Sequence, residues 1–157
     1  MPEHPATIRV FNDFSISLML ADSAQAVQGK LFVLGGGWNM RSAQPTPCAI
    51  AAVVSVPWTE TNRRHALEFS LLDGNGRPVS PAEGAPALTI GTEFEVGRGP
   101  GLPPGIRLNV PIAINMGPLQ LAPGQYEWRV TLDGRGRDDW RLPFTVLAQV
   151  PGQPPQG

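Results

Sequence analysis

Cysteine occurs once in this sequence, as Cys48, and histidine twice, as His4 and His65. A single thiol cannot close an intrachain disulfide or build a cysteine-ligated metal centre. Cys48 lies in the apolar run 48–54, where the expected role is that of a small buried hydrophobe. The lack of disulfides fits a reducing compartment. With His4 in the N-terminal segment, only His65 is left for chemistry, too few nitrogen ligands for a zinc site. A triad would have to join His65 to a nucleophile and an orienting acid, and no G-x-S-x-G elbow exists to present a serine. No metal, no cofactor and no catalytic residue is expected, and the chain reads as a non-enzyme.

Lysine is almost absent too: Lys30 stands alone beside eleven arginines. The formal net charge is −1 and the acids and bases are interspersed. A surface that tracks phosphates needs clustered cations to release counterions. The largest cluster here is Arg63-Arg64, so nucleic acid is not an expected partner. No apolar run approaches the roughly 20 residues of a membrane-spanning helix, and no membrane is expected. Ala24-Gln25-Ala26 has the form of a signal cleavage site, but Glu3, Asp13, Ser15 and Ser17 break the charge and hydropathy pattern before it. That segment reads as the first strand, and the expected location is cytoplasmic.

What the chain has in abundance is 18 Gly and 18 Pro. Among many Val, Ile and Leu residues, and with no collagen period, they punctuate short strands. Alternation predicts a first strand over 14–21, followed by one helical turn over 24–28 that Gly29 ends, with Asp22 in an Asx-type turn or as its cap. A second strand is expected over 30–34, stopped by the three glycines 35–37. Residues 47–56 are apolar on both faces and should form a central, doubly covered strand. A polar connection over 59–64 has room for a single helical turn, and a strand follows from Leu67 to Leu71.

Asn75-Gly76 is the strongest local hairpin signal, because a type I′ turn needs positive φ at both central residues. The next strands are expected over 91–97 and 107–114. Pro111 removes a ladder donor from the latter and should place it at an edge. Residues 126–133 and 140–146 alternate cleanly, with a polar loop over 134–139 between them. Tyr126 follows Pro123-Gly124 at the start of a strand, where a tyrosine corner bonds back to upstream backbone. The expected fold is an all-β, immunoglobulin-like antiparallel β-sandwich of eight or nine short strands. It should form one domain over 1–150, with a disordered Pro/Gln/Gly tail over 151–157.

Other possible sites are better read as structure. Gly35-Gly36-Gly37 lacks the Lys, Ser/Thr and helix of a phosphate loop. Asp73-Gly74-Asn75-Gly76 lacks the remaining acids of a calcium loop. The carboxylates of 133–139 are opposed by Arg135 and Arg137. Trp128 and Trp140 fall on apolar strand faces and should be core. Trp38 and Trp58 lie where strands meet loops, which suits caps on the core. Alternatively, with Asn62, Arg63, Arg64 and His65 they would form an aromatic platform for a carbohydrate, a small molecule or a partner protein. His65 itself suits a start-of-strand residue hydrogen-bonded to nearby backbone.

Whole strings resemble a family of uncharacterised bacterial proteins of similar length. They are LADSAQAVQGKLFVLGGGW (20–38), VPWTETNRRHALEFSLLDGNGRPV (56–79), FEVGRGPGLPPG (94–105) and VPIAINMGPLQLAPGQYEWRVTLDG (110–134). The resemblance supports the domain boundaries and implies no activity. The leading expectation is a non-catalytic protein-binding or structural module. It would act by surface recognition through one end or edge of the sandwich, through self-association or within a larger assembly such as a virion.

Overall fold

The computed structural model describes residues 13–148; His4 and the tail 151–157 lie outside the described residues. Nine strands occur among the described residues: β1 (Ser15–Val27), β2 (Lys30–Gly36), β3 (Met40–Ser42), β4 (Cys48–Val56), β5 (Arg64–Asp73), β6 (Thr89–Glu95), β7 (Leu108–Met116), β8 (Gly124–Leu132) and β9 (Arg135–Leu147). They form a four-stranded sheet in the order β2-β1-β4-β7 and a five-stranded sheet in the order β3-β9-β8-β5-β6. All pairings are antiparallel except that of β3 with β9. No α-helix occurs among the described residues, only a 3-10 turn at Trp58–Glu60, which begins one residue before the connection expected to hold one.

One apolar cluster joins the two sheets. Ile16, Leu20, Ile50, Val54 and Val56 meet Leu67, Phe69, Leu71, Trp128, Val130, Trp140 and Phe144 across it. The two-residue period supplies this face from each strand, so Trp128 and Trp140 are core as expected. β4 is buried on both faces and lies inside its sheet, while β7, carrying Pro111, lies at that sheet's edge. The tyrosine corner is present: the Tyr126 hydroxyl donates to the Ala122 carbonyl at 2.7 Å. Tyr126→Phe should lower stability by about 1 kcal/mol, the worth of one such bond, with an unchanged circular-dichroism spectrum.

Three local expectations are corrected, all through turns. Residues 24–28 form no helical turn. β1 runs on to Val27, and Gln28 and Gly29, with φ of 51° and 73°, make a two-residue hairpin that pairs Val27 with Lys30. Asp22 is therefore a strand residue and caps nothing. Likewise, 134–139 is strand rather than loop. Asp133 and Gly134, at φ 52° and 80°, turn β8 directly into β9, with Leu132 opposite Arg135. Both sites meet the demand of a type I′ turn for two left-handed residues.

Asn75-Gly76, by contrast, is not the centre of such a turn. The Gly76 N–H bonds to the Asp73 carbonyl, and only Gly76 has positive φ (77°). The turn is thus centred on Gly74 and Asn75, and Gly76 supplies the left-handed residue after it. Asp73 Oδ1 accepts the N–H groups of Asn75 and Arg77, which stabilises this wider loop over the tighter one. Its return arm amounts to a single bridge, Leu72 with Pro78. The remaining strand bounds differ from expectation by a few residues, and the short β3 is added.

Candidate functional site

The six residues singled out in the sequence do not converge. β4 runs from Cys48, opposite Met116, to Val56, opposite Leu108, and Trp58 follows it at that end. Trp38 lies at the opposite end, where β2 leads into β3, with its ring edge-on to Phe144 at 6.5 Å. It packs against the core cluster, and its Nε1 is buried without an acceptor among the described residues. That indole caps the core and offers no donor to a ligand.

Trp58 is held by its own neighbours. The Arg98 guanidinium lies over its ring at 4.1 Å and donates from Nη2 to the Trp58 carbonyl at 2.7 Å. The Arg98 Nε donates to Thr61 Oγ1, and that hydroxyl donates to the Trp58 carbonyl. One face of the indole is thereby occupied. Asn62 takes a left-handed conformation, φ 61°, and its N–H bonds to the Val96 carbonyl, so its role is to turn the chain. Arg63 pairs with Glu60 at 3.1 Å and Arg64 with Glu93 at 3.6 Å, both in solvent.

His65 is the most constrained of the six. Its side chain is 3% exposed and lies edge-on to Phe14 and tilted against Phe94. Its Nδ1 lies 2.7 Å from Asp133 Oδ2 and its Nε2 lies 2.8 Å from the Glu60 carbonyl. The backbone bond was legible in the sequence. The carboxylate, which is 68 residues away, was not. Asp133 Oδ1 also accepts the Ala66 N–H at 2.9 Å. Burial works to raise the Asp133 carboxyl, but the bonds from His65 and Ala66 and the nearby His65 and Arg135 charges outweigh it and hold it below its usual range.

This histidine–aspartate pair has the connectivity of a catalytic dyad, yet Nε2, which would face a nucleophile, is spent on backbone. Cys48 lies at the other end of β4, and burial, the dominant influence there, pushes its thiol up, away from the reactive thiolate. The pair is a clamp that ties the β8–β9 turn to β5 and to the 3-10 turn. Among the described residues no group of three His, Cys, Asp or Glu is placed to hold a metal ion.

The open surface lies elsewhere, on the β1–β2 hairpin. Beyond Ala21, the last residue of β1 paired with β4, the hairpin packs Ala24 and Leu31 against Ala49, Ala51 and Ala113. Asn115 of β7 anchors it by accepting the Ala24 N–H and donating to the Ala24 carbonyl. Small side chains on the sheet permit this approach. Gly35 permits the fold at the hairpin base, because a Cβ there would fall 2.2 Å from Asp22 Oδ2. The hairpin therefore covers the second face of β4.

Its own surface is left apolar and open. Phe32 is 55% exposed and Leu34 70%, with Val33, Val27 and Met19 also exposed. A groove of about 490 Å³ is lined by Ser23, Ala24, Gln25, Phe32, Val33, Leu34 and Asn115. Neither Trp38 nor Trp58 lines it. In the sequence, Phe32, Val33 and Leu34 read as an ordinary strand, because nothing local reveals that β2 would lie at an edge.

No helix among the described residues is long and apolar enough to cross a membrane. No curated protein matches the chain. Residues 16–147 match the model of DUF6941, a family of unknown function, and the chain belongs to that family.

Proposed function

We propose that this domain is a non-catalytic recognition module whose working surface is the outward face and free edge of the β1–β2 hairpin. The observation that carries the reading is the run of exposed Phe32, Val33 and Leu34 on an edge strand. Contiguous exposed apolar surface marks interaction sites more often than scattered residues do, and an edge strand offers unpaired backbone groups to an added strand. Within this reading the sandwich is an immunoglobulin-like variant, which the Tyr126 corner supports. The occupied face of Trp58 and the inward indole N–H of Trp38 favour the hairpin over an aromatic sugar platform.

Selection from a random peptide display library on the immobilised domain tests this. The expected products are extended apolar sequences that bind the wild type and lose binding to Leu34→Asp. Peptides that bind both proteins equally would move the recognition surface away from the hairpin.

A further inference from the structure

We infer that His65 carries hydrogen on both ring nitrogens in the fold, and that the second proton latches the connection between β4 and β5 at its 3-10 turn. The inference rests on the acceptors around a buried ring. The Glu60 carbonyl lies 2.8 Å from Nε2 and can only accept, so Nε2 must donate to it. The Asp133 carboxylate lies 2.7 Å from Nδ1 and, when ionised, also only accepts. Its other oxygen already takes the Ala66 N–H, and the same bonds favour its ionised form. A neutral imidazole has one N–H and satisfies one of the two acceptors. The imidazolium satisfies both.

The other charges on the packed elements are engaged elsewhere. Arg135, beyond the β8–β9 turn, acts on Asp133. On β6, Glu93 and Glu95 alternate onto the face opposite Phe94, and Glu93 pairs with Arg64. The Glu60 carboxylate pairs with Arg63. Before β1, Asp13 is exposed, and Arg137, which donates to the Phe14 carbonyl, pairs with Asp139. Phe14 and Phe94 close the remaining sides of the ring. The second proton is therefore governed by Asp133 and the Glu60 carbonyl.

When the ring loses a proton, one of its two bonds must go. A hydrogen bond to a charged acceptor is about twice as strong as one between neutral groups, so the remaining hydrogen stays on Nδ1 facing Asp133. The Glu60 carbonyl then faces a lone pair. The 3-10 turn buries none of its own residues, so little else draws Glu60 inward. Arg98 still holds the Trp58 carbonyl and the Thr61 hydroxyl, which keeps the release local. The Glu60 carbonyl and the Thr61 N–H belong to one peptide group, and that N–H makes a long bond of 3.3 Å to the Trp58 carbonyl. It is the bond that loosens first.

Nuclear magnetic resonance of the full chain from about pH 5 to about pH 9, the span in which histidine changes charge, provides the test. The His65 ring signals are identified by their absence from His65→Phe. Two ring N–H resonances are expected at the acid end and one, on Nδ1, at the alkaline end. Over the same step, protection of the Thr61 amide, corrected for the intrinsic pH dependence of exchange, should fall roughly fivefold, the worth of one hydrogen bond. Protection at Ala66 should hold. In His65→Phe the Thr61 amide should be poorly protected throughout and show no step. A ring with a single N–H at about pH 5 would overturn the inference. So would a Thr61 amide that does not follow the ring, or a last hydrogen that stays on Nε2.

Discussion

His65→Ala should lower stability by about 3 kcal/mol, combining a cavity between two aromatic rings with acceptors left unmatched. For a domain of this size that corresponds to a midpoint lower by roughly 6–12 °C in a thermal melt. The expectation rests on a ring with both nitrogens engaged and with Phe14 and Phe94 against it. His65→Phe separates the two contributions. It refills the space but offers no donor to Asp133 or to the Glu60 carbonyl, so it should recover only the packing part. A melt of His65→Phe equal to the wild type would show that the clamp bonds contribute nothing.

The same clamp has a pH signature through Asp133. Its carboxyl is held below the ordinary value of 3.8, so the folded state favours the ionised form. The resulting stabilisation is present in full above the unfolded carboxyl's titration. It is lost as pH falls through the lower, folded value. Asp133→Asn should therefore be less stable than the wild type near neutrality, and the gap should close in strong acid. The side chain is 35% exposed, and solvent screening keeps the gap modest. Denaturant titrations at several pH values would show it, and a gap that widens on acidification would contradict the assignment.

Ala51→Leu should cost roughly 2 kcal/mol, because it forces a larger side chain into a packed contact between sheet and hairpin. Ala51 is 2% exposed and lies among Ala24, Ala49, Leu31 and Ala113. The relief available to the fold is to lift the hairpin, which Asn115 holds by two bonds to Ala24. Amide exchange should then rise over 23–34 while β5 and β8 stay protected. If recognition depends on the seated hairpin, peptide binding should fall with it. Uniform loss of protection across both sheets would instead mean that the hairpin is no separable unit.

The strands that were legible are those whose neighbours are ordinary. In β7, β8 and the second half of β9, apolar and polar residues alternate because one face meets the core. β4 was legible for the opposite reason, since two covered faces leave no alternation. The turns were harder. Gln28-Gly29 and Asp133-Gly134 resemble Asn75-Gly76 in composition, yet only the first two close two-residue hairpins. The choice was made by the register of the flanking strands and by Asp73 accepting the backbone of its own loop.

Taken alone, the sequence determined the all-β class, the tyrosine corner, the core tryptophans and the scarcity of cysteine and histidine. These follow from residue counts and short-range patterns, which act before any long-range contact forms. Only the tertiary structure decided that His65 meets Asp133, that Trp38 and Trp58 stand at opposite ends, and that Phe32, Val33 and Leu34 are left exposed on an edge strand. The physical reason is that a strand's period specifies which residues share a face. Which face is covered, and which strand is left at an edge, depends on sheet order, and sheet order is set by segments far apart in the chain.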